Sequence, residues 1–235
     1  MGSGADAESG CKHLLAVSLT HGHPIFARVF DRLSRLMEKE AGVHRTELLA
    51  HLHGRIVEIG AGNGINFGHY PSTVEEVIAL EPESYLRHKA EVAARASTVQ
   101  VTVRQGRATP LPFADASFDA AVASLVLCTV PDPVGALVEL RRVIKPGGEL
   151  RFMEHVRAGR QPKSAIQQWL DRTGIWPRLG GGCHCARDTV EAIEASGFRV
   201  ERLRSYSLGP SWTVTNPHVL GSARVTAGLV AHEIA

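Results

Sequence analysis

Short apolar segments alternate with amphipathic segments along most of this 235-residue chain, and that alternation constrains its fold more than any other feature. Apolar runs predict strands over 55–59, 76–80, 99–103, 118–125, 149–155, 198–205 and 218–225. Helical spacing predicts helices between them, over 84–96, 133–143 and 188–196. We therefore expect an α/β fold with a Rossmann-like, doubly wound, mostly parallel seven-stranded sheet and helices on both faces.

The segment ahead of the first strand predicts an N-terminal helical cap over 23–53. Apolar residues recur there at helical spacing, which predicts a helix over 23–40: Phe26, Val29, Phe30, Leu33 and Leu36. A second short helix is expected over 45–52. Residues 1–22 are predicted to be a flexible N-terminus, and 23–235 a single domain with a substrate-side insertion over 156–187.

Composition excludes several classes of protein. Hydrophobic residues make up 44% and charged residues 21%, which is enough to build a core without metal or disulfide staples. The net charge is +2 and the basic residues are scattered, so nucleic acid is not an expected partner. No apolar run reaches the roughly 20 residues of a membrane span. With no evident signal peptide or disulfide framework, we expect a cytoplasmic monomer or homodimer without a membrane partner.

The first predicted strand runs into a loop of alternating glycines, Gly60-Ala61-Gly62-Asn63-Gly64. Such a loop lets a ligand approach the backbone closely, although glycines also serve turn geometry alone. Three acidic or apolar positions favour a sulfonium cofactor over a dinucleotide. Ile65 stands where the dinucleotide fingerprint needs a small residue, Glu58 precedes the loop, and Glu81 ends the second strand, where an acid binds ribose hydroxyls.

Residues 57–66 resemble motif I of the class I S-adenosylmethionine-dependent methyltransferases, and the likeness continues through 80–82, 106–113, 117–119, 124–128 and 142–148. The resemblance implies S-adenosylmethionine as cofactor and S-adenosylhomocysteine as product. It implies these cofactor-binding residues: Glu58, Gly60, Ala61, Gly62, Asn63, Gly64, Glu81, Pro82, Arg107, Ala108, Leu125 and Val126. One position departs from the family, because many members carry Asp where this chain has Arg107, which cannot accept a bond from adenine.

Residues 124–133, 152–156 and 182–189 are similar to a narrower group that includes animal thiol S-methyltransferases. The near absence of further domains favours a small-molecule acceptor, and this likeness implies a thiol or an apolar metabolite. The alternative is a protein that binds S-adenosylmethionine without methylating, such as a cyclase or a binding module.

His155, at the end of the fifth predicted strand, is the candidate general base because an imidazole accepts protons near neutral pH. The alternative is a histidine that only hydrogen-bonds the backbone at a strand end. The predicted substrate-binding residues come from the cap and the insertion: His21, His23, Phe26, Trp169 and His184.

The run Cys183-His184-Cys185 invites comparison with zinc sites. Ligands this close in sequence do not easily share one tetrahedral ion, and no second cysteine pair accompanies them. The sequence therefore predicts no metal site, and Cys128, inside an apolar run, is interpreted as a buried thiol.

Overall fold

The computed structural model describes residues 24–226, which are built around a seven-stranded sheet in the order β3-β2-β1-β4-β5-β7-β6. The strands are β1 Gly54–Ile59, β2 Val74–Leu80, β3 Gln100–Arg104, β4 Phe118–Ser124, β5 Ile144–His155, β6 Phe198–Ser207 and β7 Pro217–Val225. The first five pair in parallel, and β7 is antiparallel to both β5 and β6. The predicted Rossmann-like, mostly parallel fold is confirmed.

Helices cover both faces of the sheet. They are α1 Pro24–Leu49, α2 Ser84–Arg95, α3 Pro133–Val143, α4 Lys163–Arg172, α5 Ile175–Leu179 and α6 Thr189–Ala195, with a 3-10 helix at Ile65–His69. One apolar cluster joins the sheet to Leu137 of α3 and Ile193 of α6. The other joins it to Leu48 of α1 and Ala90 of α2. Among the residues described, no helix combines the length and apolar character that crossing a bilayer demands.

The cap is one continuous helix, α1, so the prediction of a separate helix over 45–52 is wrong. Gly42 lies between the two predicted helices and costs only about 1 kcal/mol in a helix interior, which does not end the helix. Most of the apolar stripe of this helix faces solvent and not the sheet, since Val29, Leu33 and Leu36 are exposed. The face that lies on the sheet instead buries small and polar side chains such as Ala27, Asp31 and Arg45, alongside Leu48 and Leu49.

The strand order positions the site. The chain runs outward through β1, β2 and β3, and then returns to the other side of β1 to form β4 and β5. Ligands of open α/β sheets bind at such a switch point, outside the carboxyl ends of the strands. Here that edge brings together the loop 60–64 after β1, Glu81 after β2, the turn 125–129 after β4 and the insertion after β5, which holds α4 and α5.

Replacing Gly64 tests how tightly the glycine loop packs on α2. Its φ is +77°, and an added Cβ would lie 2.9 Å from the Ala90 Cα and 2.9 Å from the Ala93 Cβ. Gly64→Ala should therefore lower the free energy of unfolding by roughly 2–4 kcal/mol, through backbone strain and overpacking together. Gly147→Ala is the matched control, because its φ is +81° but nothing lies within 4 Å of the added Cβ. Urea denaturation should show a larger loss for Gly64→Ala; equal losses would contradict the packing argument.

Candidate active site

The glycine loop lies between the turn after β4 and the cap helix. A Cβ at Gly60, where φ is +64°, would meet the Val126 Cγ2 at 2.3 Å, and a Cβ at Gly62 would meet the Phe30 ring at 3.3 Å. The backbone N–H of Ala61 donates to the Leu80 carbonyl at 3.1 Å, which fixes the start of the loop. The loop is thus a backbone cradle that packs closely against the turn after β4 and against α1, where glycines allow the close approach.

Glu81 ends β2 beside this cradle and is 5% exposed. Its Oε2 accepts from the Gly62 N–H at 2.8 Å and its Oε1 accepts from the Glu83 N–H at 2.8 Å. Burial raises the pKa of this carboxyl, while the two backbone donors act in the opposite direction. A carboxylate oriented in this way can accept both hydroxyls of a ribose, as predicted for an acid at this strand end.

Glu58, predicted to contact the cofactor, lies in a buried polar network beneath the loop. Its Oε1 accepts from Asn66 Nδ2 at 2.6 Å and its Oε2 accepts from the Tyr70 hydroxyl at 2.8 Å. Arg45 donates to the Asn66 Oδ1 at 2.6 Å. Burial raises the pKa of Glu58 to about 7, although these donors and the Arg45 cation favour its ionised form. The network stabilises the shape of the loop, and direct contact of Glu58 with a cofactor stays a prediction.

Asn63, another predicted cofactor residue, directs its side chain to the cap helix. Its Nδ2 donates to the Asp31 Oδ1 at 2.9 Å and to the Ser34 Oγ at 3.0 Å. Asp31 also accepts from Tyr85 and Arg35. Asn63 therefore ties α1 to the loop, and only its backbone lies in the cradle.

The turn after β4 is held by Glu154, a residue that the sequence analysis did not assign to the site. Glu154 is fully buried, and its Oε1 accepts from the N–H groups of Val126 and Leu127, each at 2.9 Å. Leu125 begins the turn with a φ of +56°, and its N–H donates to the Met153 carbonyl at 2.7 Å. Val126 is thereby placed against Gly60 of the glycine loop, and contact of Leu125 and Val126 with a cofactor stays a prediction.

His155, next to Glu154 on β5, points to a different part of the site. Its Nε2 lies 2.8 Å from the Cys183 Sγ, and the Trp176 Nε1 donates to the same sulfur at 3.2 Å. Cys128 lies in the same buried group. A hydrogen bond from Cys183 lowers the pKa of Cys128 despite its burial, and charge on Cys128 raises the pKa of His155 against the effect of its burial. Glu154 and His155 serve different parts of the site because adjacent residues of a strand face opposite sides.

The insertion after β5 closes over this turn. The His184 N–H donates to the Cys128 carbonyl at 2.8 Å, and Arg187 donates to the carbonyls of Leu127 and Val130 at 2.6 and 2.7 Å. A Cβ at Gly181 would overlap the Phe26 ring of α1 at 2.3 Å. The insertion and the cap helix therefore meet above the carboxyl ends of β4 and β5.

The structure describes three of the five predicted substrate-binding residues. Phe26 packs between the insertion and Phe30, with ring centroids 6.0 Å apart. His184 contributes its backbone, while its half-exposed side chain lies near Asp171. Trp169 is 57% exposed on α4, and its contact with a substrate stays a prediction, whereas the Trp176 indole donates to the Cys183 sulfur. His21 and His23 lie outside the described residues.

The remaining predicted cofactor residues lie on two surface segments. Arg107 is exposed and Ala108 is half-buried in the segment after β3. Pro82 is exposed beside Glu81, and its carbonyl accepts from Arg87 at 3.0 Å. Their contacts with a cofactor stay predictions.

Comparisons with known proteins agree with this geometry. Residues 57–152 match the family described as "Methyltransferase domain". Rat thiol S-methyltransferase TMT1B is 33% identical over 173 residues, covering 72% of this chain and 69% of the relative. A S-adenosylmethionine-dependent methyltransferase structure from Thermotoga maritima superposes with a TM-score of 0.61 at 24% identity, covering 88% of this chain and 100% of that one. The [4+2]-cyclase SpnF shares the fold at a TM-score of 0.61 and 20% identity, covering 84% and 81%.

Replacing Glu81 by Ala should weaken the binding of S-adenosylmethionine by roughly 1–3 kcal/mol, because two charge-assisted hydrogen bonds to the ribose would be lost. Isothermal titration calorimetry measures this directly. Glu75→Gln, an exposed position on the same strand, is the control and should bind as the wild type does. An unchanged affinity for Glu81→Ala would remove Glu81 from the ribose site.

Glu58 predicts a pH dependence of stability. Its pKa of about 7 in the folded state exceeds the ordinary 4.5, so the folded chain binds this proton more tightly than the unfolded chain does. The resulting stabilisation is complete below the ordinary pKa and is lost as the pH rises through about 7.

Glu58→Gln cannot ionise, so the stability of the wild type relative to this variant should fall by up to about 3 kcal/mol as the pH rises from 4.5 to 7.5. Urea denaturation without cofactor, at several pH values, checks this, with Glu75→Gln expected to follow the wild type. A difference that stays constant with pH would argue against the buried, protonated carboxyl.

Proposed function

Because this chain belongs to the class I S-adenosylmethionine-dependent methyltransferases, in the family that includes the thiol S-methyltransferases, we propose that it methylates the sulfur of a small apolar thiol. When bound, S-adenosylmethionine supplies an electrophilic methyl group. The chain supplies the backbone cradle at 60–64, the carboxylate of Glu81 for the ribose, and the turn 125–129 beside the cradle.

Similarity on the acceptor side supports a thiol. The match to rat TMT1B spans 72% of this chain, a longer stretch than residues 57–152, so the likeness extends beyond the cofactor half. The name of that relative describes a thiol acceptor, and the elements outside 57–152 that enclose the turn after β4 are α1 and the insertion.

Enclosure supports a small acceptor. The insertion binds the turn after β4 through His184 and Arg187, and it packs on Phe26 of the cap through Gly181. The surfaces that meet there are aromatic and apolar, with the indole of Trp176 and the rings of Phe26 and Phe30 nearby. A compact site with such walls fits an apolar ligand better than a polymer.

The observation that carries the proposal is the set of polar side chains beside the turn after β4. Glu154 uses its oxygens on backbone N–H groups, which leaves an imidazole and two thiols, those of His155, Cys128 and Cys183. None of these groups is a strong base. A thiol acceptor, with an ordinary pKa near 8.5, ionises under such conditions, whereas an alcohol does not.

Purified protein should form S-adenosylhomocysteine with thiols at least about tenfold faster than with alcohols and alkylamines of the same carbon skeleton, because near neutral pH a thiol can form its anionic nucleophile, whereas an alcohol stays neutral and an alkylamine stays protonated. Mass spectrometry of the acceptor should show the methyl thioether. Equal rates with the alcohols would contradict a thiol acceptor. Tight binding of S-adenosylmethionine without any methylated product would favour a non-methylating role instead.

A further inference from the structure

Three buried side chains from distant parts of the chain lie close together at the turn 125–129 after β4. Cys128 comes from the turn after β4, His155 from the end of β5 and Cys183 from the insertion, and their sulfur and ring nitrogen atoms all lie within 4.8 Å of one another. Each residue is less than 9% exposed. Two sulfurs and an imidazole nitrogen form the ligand set that zinc prefers in proteins.

Hydrogen bonding within the described part of the chain does not account for this group. His155 directs Nε2 to the Cys183 sulfur, while its buried Nδ1 has no hydrogen-bond partner there. Burying a polar nitrogen in this way is unfavourable unless the arrangement serves a ligand or a buried water. A buried imidazole whose Nε2 faces one cysteine sulfur, with a second thiol close by, is a second indication of a binding site.

Residues 24–226 supply three ligands of this kind and not a fourth. Cys185 is also buried, but its sulfur lies 3.5 Å from the Asp171 Oδ1, and no further His, Cys, Asp or Glu joins the cluster within 24–226. Trp176 approaches the Cys183 sulfur, but an indole N–H only donates and cannot bind a metal. Structural zinc sites have four protein ligands, whereas catalytic sites have three and an open position.

We propose that Cys128, His155 and Cys183 bind a zinc ion whose fourth position takes the sulfur of the acceptor thiol, an assignment that rests on the proposed function. Zinc bonds of about 2.0–2.3 Å separate tetrahedral ligand atoms by roughly 3.5 Å. Small side-chain shifts bring the three atoms to that spacing. Two thiolates and a neutral imidazole balance the charge of the ion, which makes burial of the site tolerable.

The location suits methyl transfer to sulfur. Cys128 follows Val126 by two residues, and Val126 packs directly on Gly60 of the cofactor cradle. On binding to the ion, the acceptor R–SH releases its proton to solvent and is held as a thiolate. Its electron pair forms the new bond to the methyl carbon, while the bond from that carbon to the sulfonium sulfur breaks and its pair stays on that sulfur. The neutral thioether R–S–CH₃ then leaves.

This assignment gives His155 a different role from the general base predicted from the sequence. It also differs from the prediction that there is no metal site. That prediction considered Cys183 with its sequence neighbour Cys185, whereas the fold places Cys183 beside Cys128 and His155. A ligand and a base make opposite predictions for metal content, because only the loss of a ligand releases the ion.

Metal analysis of the full chain, purified with zinc and without chelators, tests the site. We expect about one zinc per chain in the wild type, as for a single three-ligand site, and loss of most of it in Cys128→Ser, Cys183→Ser and His155→Gln. Cys185→Ser is the matched control, a buried thiol two residues from Cys183 that should keep its zinc. Binding of S-adenosylmethionine by each variant, measured by calorimetry, shows that it is folded. Wild type without zinc, or an active protein with a Cys128–Cys183 disulfide, would overturn the proposal.

Cobalt substitution tests the open position without any variant. Co²⁺ in the wild-type site should give thiolate-to-cobalt charge-transfer absorption, and this absorption should increase when a small thiol is added but not when the matching alcohol is added. A cobalt spectrum that does not respond to thiols would overturn the acceptor role. Thiol methylation by a chelator-treated, zinc-free protein at the wild-type rate would overturn the zinc proposal while leaving the proposed function intact.

Discussion

The guanidinium of Arg45 holds together the parts of the molecule on which the cofactor site depends. Arg45 belongs to α1 and is buried, and it donates to Asn66 of the 3-10 helix, to Glu38 of α1 and to Ser124 at the end of β4. Through Asn66 it connects to Glu58 at the end of β1. A buried cation is tolerated only when its partners are in place, and removing one partner of such a pair typically costs several kcal/mol. The cap helix, the loop and two strands are thereby fixed relative to one another.

This constraint explains why the cap helix lies on the sheet by an unusual face. Beside its aromatic contacts through Phe26 and Phe30, the helix makes directional polar contacts with the loop region: Asp31 accepts from Asn63, and Arg45 donates to Asn66. Only its last turns contribute large apolar side chains to the core, through Leu48 and Leu49. Hydrogen bonds that depend on direction position a helix more narrowly than apolar contacts do, which suits an element that closes a ligand site.

A second buried acid, Glu154, supports the turn after β4 as Glu58 supports the region beneath the glycine loop. Glu154 accepts from the turn after β4, and burial raises its pKa to about 8. Adjacent residues of a strand face opposite sides, so β5 uses Glu154 to hold the turn and presents His155 to the cysteines. Both halves of the site therefore depend on buried carboxyls, Glu154 through backbone N–H groups and Glu58 through the side chains of Asn66 and Tyr70.

The sequence by itself determined the sheet, the glycine loop, the acid at the end of β2 and the family, because each depends on local periodicity or on residues that are neighbours in the chain. It did not reveal that α1 is one helix with an exposed apolar stripe, since a lone glycine and helical spacing leave open which face is buried. It also missed Arg45, Glu154 and the grouping of Cys128, His155 and Cys183. Those contacts join residues 21 to 79 positions apart, and only the crossover from β1 to β4 and the return of the insertion bring them within reach of one another.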